Sequence, residues 1–105
     1  MSDARKRKPW FLYIVRCSDT SLYTGITTDI TRRVKEHNTK KGAFYTKNKT
    51  PVKLVYQEAL IGRPAASKRE AMVKRLTRKQ KLMLIRRRLI LTNKEKMITI
   101  VKNRT

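Results

Sequence analysis

The chain has 105 residues, room for one domain whose two-layer core would bury roughly 60–70% of the unfolded surface. A hydrophobic share of 39% supplies that core and excludes a compositionally disordered chain. Twenty-eight Lys and Arg against seven Asp and Glu give a formal net charge of +21, which repels itself unless an anion is near and points to DNA or RNA as the partner.

Single residues exclude more. Cys17 is the only cysteine, so there is no disulfide framework or thiolate zinc set. His37 is the only histidine, which removes a His/Cys metal cluster.

In chain order, residues 1–9 read as a basic flexible arm carrying Arg5, Lys6, Arg7 and Lys8 and ending at Pro9. The apolar run "WFLYIV" is too short for a secretory core or a membrane span, so a soluble, cytoplasmic product is expected. "WFLYIVR" and "LYTGIT" are rich in aromatic and branched residues and are joined by "CSDTS", which predicts an antiparallel hairpin. Gly25 within it marks a close backbone approach or a bulge.

Thr28 and Asp29 are candidate N-caps for a helix over "DITRRVKEHN". Ile30 and Val34 form its apolar stripe, with Arg33 and His37 on the adjoining one. After the polar loop "TKKGAFYTKNKTP", the alternating "VKLVYQE" predicts a third strand. Gly62 and Pro64 open a helix over "PAASKREAMVKRL", and Thr77 can cap another over "RKQKLMLIRRRLIL". Leu82, Ile85 and Leu89 are read as core positions of that helix rather than lipid contacts. The closing "NKEKMITIVKNRT" fits a short strand or a frayed tail.

The order ββαβαα therefore predicts an α+β fold: a small antiparallel three-stranded sheet flanked by helices. The expected domain spans residues 10–91, with an extension over 92–105.

Each candidate functional group has an ordinary reading beside a chemical one. Tyr13 and Tyr23 are hairpin aromatics, or two hydroxyls sent to one end of a sheet. Arg33 is one solvated charge among many, or a held guanidinium suited to charge on a phosphorane. His37 is a packed histidine with a satisfied ring, or a donor to the same phosphate. From Arg63 to Arg88, eleven basic residues surround one acid, Glu70. Glu70 is an exposed i,i+4 partner of Lys74, or a carboxylate holding one divalent cation on a phosphate.

The ordered set "YIV", "YTGITTDITRRVKEHN", "KKGAFYTKNKTPVKLVYQE" and "SKREAMVKRLTRKQKLMLI" resembles the GIY-YIG nuclease superfamily, in particular its small, single-domain, uncharacterised bacterial members. The resemblance runs from about Trp10 to Ile85. It implies that Tyr23 is the general base, that Tyr13 shapes or assists the site and that Gly25 lets backbone pass close. It further implies that Arg33 stabilises the transition state, that His37 stands where others carry tyrosine or histidine, and that Glu70 holds the metal. Two departures stand out. The first half-motif reads "YIV", and Ile26 stands where the excision-repair subunit has lysine.

The function expected from this resemblance is a nuclease using a single Mg2+ or Mn2+ to hydrolyse DNA, in preference to RNA, and selecting structure rather than sequence. A protein partner could supply specificity, and no membrane is involved. Phosphate contacts are expected from Lys40, Lys41, Lys47, Lys49, Lys68, Arg69, Lys74 and Arg75, and these are sequence-blind and salt-sensitive. The alternative is a basic nucleic-acid binder without catalysis, ribosome-associated or built on a degenerate nuclease fold.

Overall fold

The computed structural model describes residues 8–39, 46 and 48–96, with side chains through residue 87. The arm residues 1–7, Lys40, Lys41, Lys47 and residues 97–105 lie outside the described residues. The chain divides into two compact units, one ending at Arg75 and the other starting at Leu76.

Three strands form the sheet of the first unit: β1 (Pro9–Arg16), β2 (Leu22–Thr27) and β3 (Lys53–Ile61). Their order is β2-β1-β3, and both pairings are antiparallel. Strand β1 is therefore flanked on both edges, and Leu12, Tyr13, Ile14 and Val15 on it are all fully buried. Strand β3 runs three residues past the expected Glu58, because Phe11, Trp10 and Pro9 pair with Ala59, Leu60 and Ile61. A cross-strand partner, not local propensity, sets that end. A register shift between Ile14 and Val15 lets Leu54 follow Tyr56 as partner.

Alternation along β1 sends Tyr13 and Val15 to one face and Leu12 and Ile14 to the other. On the first face Tyr13, Val15, Cys17 and Val52 make a cluster on which Tyr23, Ile30 and Val34 pack. Ile30 and Val34 belong to helix α1 (Ile30–Asn38), capped by Asp29, whose carboxylate accepts from the Arg32 amide at 3.0 Å. The far end of α1 is tied down by Asn38. Its side chain accepts from the Val52 amide at 2.6 Å and donates to the Val52 carbonyl at 3.2 Å.

Helix α2 (Arg63–Lys74) packs against the sheet and buries Ala66 and Val73. Gly62 precedes it at φ 86°, a left-handed value natural to glycine, and Pro64 occupies the first turn.

The second unit contains α3 (Arg78–Lys96). Thr77 and Gln80 close a reciprocal cap: Thr77 Oγ1 accepts from the Gln80 amide at 3.1 Å, and Gln80 Oε1 accepts from the Thr77 amide at 2.9 Å. The helix continues through Asn93 to Lys96, where a strand or a frayed tail was expected. Lys94, Glu95 and Lys96 are good helix formers, and a single Asn costs too little to stop them. Leu82, read as a core position, is 43% exposed. Ile85 is half-buried, and the side chain of Leu89 lies outside the described residues. No helix of the described residues is long and apolar enough to cross a membrane.

Candidate active site

Strands β1 and β2 and helix α1 meet at the Tyr13 ring. Tyr13 lies opposite Gly25 in the β1–β2 register, and Val15 lies opposite Tyr23, so all four share one face. The Tyr13 ring lies over Gly25 so closely that a β-carbon there would fall 2.6 Å from the hydroxyl oxygen. Glycine is required by that approach, as its place in the "YTG" motif implies.

From the helix side comes His37, seven residues after Ile30 and three after Val34, which completes the inward stripe of α1. The expected stripe ended at Val34, yet His37 is the most deeply buried residue of this helix, at 0% exposure. Both ring nitrogens are engaged. Nε2 lies 3.0 Å from the Tyr13 hydroxyl, and Nδ1 lies 2.7 Å from the Thr46 hydroxyl. A neutral imidazole has one N–H, so protons run along Tyr13, His37 and Thr46 in one direction or the other. Burial, and then the charge on Arg33, pushes the His37 pKa below its ordinary value, which keeps the ring neutral.

Tyr23 completes an aromatic triangle. Its ring centroid is 6.4 Å from Tyr13 and 5.4 Å from His37, the latter edge-on. Tyr13 is 1% exposed while Tyr23 is only half-buried, so solvent reaches the second ring and not the first.

Burial holds the Tyr13 hydroxyl above the ordinary phenol value, and the nearby Arg33 guanidinium opposes the shift. The negative charge of Glu70, on α2, also raises it, which puts Glu70 within electrostatic reach of the same hydroxyl.

Arg33 is held rather than waving. Its Nη1 donates to Glu36 Oε1 at 2.9 Å, and Arg32 Nη1 donates to the other oxygen, Oε2, at 2.9 Å. One carboxylate thus braces two guanidiniums, and the Arg33 side chain remains 25% exposed beside an open cleft.

Glu70 is 23% exposed and pairs through Oε2 with Lys74 at 3.2 Å. Among the described residues no group of three His, Cys, Asp or Glu could hold a metal ion. The donor set here is a single carboxylate, which fits a divalent cation completed by water and phosphate oxygens.

The expected phosphate contacts fare differently. Lys68 and Arg75 are exposed on and just after α2, Lys49 pairs with Asp19 at 3.6 Å, and Arg69 is committed inward. Its Nε and Nη2 donate to Glu58 at 2.6 and 3.2 Å, and Glu58 also accepts from the buried Tyr56 hydroxyl. Thr46, Glu36 and Glu58 were not singled out from the sequence as site or supporting residues. Thr46 and Glu58 meet their partners across the fold, but the i,i+3 and i,i+4 spacing of Glu36 from Arg33 and Arg32 was a readable signal.

A family model described as the GIY-YIG catalytic domain matches residues 9–83. A UPF0213 protein of Desulfotalea psychrophila is 52% identical over 81 residues, covering 76% of this chain and 74% of the relative. A UPF0213 protein of Haloquadratum walsbyi is 54% identical over 74 residues, covering 70% and 83%. Among solved structures, the solution NMR structure of protein EF2693 from E. faecalis is 36% identical, covers 80% of this chain and 91% of that one, and superposes with a TM-score of 0.53.

Proposed function

The chain belongs to the GIY-YIG family of nuclease catalytic domains, and from that membership we propose that it hydrolyses phosphodiester bonds in DNA with a single divalent cation, Mg2+ or Mn2+. The observation that carries this reading is the convergence of Tyr13, Tyr23, His37 and braced Arg33, with the charge of Glu70 felt at Tyr13.

In this reading Tyr23 is the general base, since it is the tyrosine that solvent reaches. Tyr13 keeps its proton and positions the site through Arg33 and His37. His37, with both nitrogens engaged inside the fold, orients Tyr13 rather than touching substrate. Arg33 meets the charge that develops on the phosphoryl oxygens, already held in place by Glu36. Glu70 would hold the cation, which when bound supplies charge neutralisation at the scissile phosphate and the leaving oxygen. Lys68 and Arg75 add sequence-blind grip on the backbone, so selection falls to the shape of the nucleic acid.

Cleavage of labelled duplex, single-stranded, nicked and branched DNA, and of RNA, tests this in Mg2+, Mn2+ or EDTA. The wild type should cut DNA only with metal, and Glu70→Ala and Arg33→Ala should both abolish cutting. If all three proteins bind equally and none cuts, the catalytic reading fails for the isolated chain.

A further inference from the structure

Next to Arg33 lies a cleft of about 330 Å3 that the catalytic groups do not fill. Trp10, Ile26, Arg32, Arg33 and Arg63 are among the residues that line it, with Glu36, which pairs with both Arg32 and Arg33. The volume is at the low end of small-ligand sites, the size of one planar group rather than a duplex.

The chemistry of the lining is selective. A site that held only phosphates would need its three guanidiniums and nothing more. This one adds a half-buried indole and the aliphatic side chain of Ile26. The Arg63 guanidinium carbon lies over the Trp10 ring, 5.4 Å from its centroid, a cation–aromatic pair. Aromatic and guanidinium planes are the surfaces on which nucleobases stack. A base inside a duplex already has both faces covered and cannot offer one. Arg33 lines this cleft and is also the guanidinium assigned above to the phosphoryl oxygens, so in that reading whatever enters adjoins the reacting phosphate.

We propose that the cleft is a stacking site for one unpaired nucleobase next to the scissile phosphate, which directs the enzyme to single-stranded or frayed positions in DNA. The place beside a scissile phosphate and the direction to single-stranded or frayed DNA rest on the nuclease reading above. The stacking of an unpaired base in the cleft does not.

Trp10 is the only tryptophan in the chain, so its fluorescence reports on the cleft directly. In EDTA, where no cutting occurs, the protein is titrated with single strands of about twelve nucleotides, within the usual span of single-strand sites. A blunt duplex, an abasic strand of equal length and inorganic polyphosphate serve as comparisons. The anisotropy of a dye on each nucleic acid gives binding independently.

The normal single strand should quench Trp10 saturably, while the abasic strand and polyphosphate bind with little quenching. Trp10→Ala should weaken single-strand binding by between about fivefold and a hundredfold, with duplex binding changed much less and Trp10→Phe recovering most of the loss. Equal quenching by polyphosphate, or single-strand affinity unaffected in Trp10→Ala, overturns the stacking site. If the quenching holds but no substrate is cut in Mg2+ or Mn2+, the nuclease reading falls and the stacking site stands.

Discussion

A β-carbon on Gly25 would stand 2.6 Å from the Tyr13 hydroxyl oxygen and 2.7 Å from Cζ. The ring has nowhere to go, being 1% exposed and hydrogen-bonded to buried His37. Gly25→Ala should therefore destabilise the fold by about 1–3 kcal/mol, the usual cost of overpacking, read from the denaturant midpoint. An unchanged midpoint would mean that the ring is not held where it lies.

His37 makes stability depend on acid. Its pKa is lowered by burial and by Arg33, with Glu36 opposing, so the fold disfavours the protonated ring. For a group with a depressed folded value, stability is full above the ordinary 6.5 and is lost as pH falls below it through the depressed value. Denaturant midpoints from about pH 7.5 down to about pH 5 should fall in the wild type. The His37→Gln protein should start less stable, because Tyr13 and Thr46 lose their partner, and show a flatter profile. Parallel slopes would show that another group titrates.

Glu36→Gln separates bracing from folding. Exposed ion pairs add little stability, so the unfolding midpoint should hardly move. Cleavage should nonetheless fall by on the order of tenfold or more as Arg33 loses its brace, since small misplacements are costly in catalysis. Unaltered kcat would show that Arg33 is positioned by Tyr13 alone.

Glu58 is the hub of a structural trio. Removing it in Glu58→Ala strips the buried Tyr56 hydroxyl and Arg69 of an acceptor, for an expected loss of about 1–3 kcal/mol. Tyr56→Phe should cost less, because Glu58 keeps Arg69. A double-mutant cycle on stability measures the coupling, and additive effects would remove the hub.

Much of the fold was readable because its signals are local. Branched and aromatic runs marked β1 and β2, and Asp29, Gly62, Pro64 and Thr77 marked helix starts. What escaped was set by distant partners or by an overweighted local breaker. Ala59 to Ile61 join β3 because β1 reaches back to Pro9, and α3 outlasts Asn93 because Lys and Glu follow it. The site behaved likewise: "YIV", "YTG" and the α1 pattern named Tyr13, Tyr23, Arg33 and His37 through resemblance, whereas the role of Thr46 depends on a contact nine residues from His37.

Strand β1 gives the same atoms two employers. Tyr13 and His37, with Gly25 beneath the ring, are core whatever chemistry they serve, so a relative without nucleic-acid cleavage would still lose stability by replacing any of the three. Glu70 and Arg33 are partly exposed and ion-paired to Lys74 and Glu36, so burial constrains their identity far less. Among relatives, loss of that glutamate and arginine beside intact tyrosines would mark a lineage that kept the fold and gave up the reaction.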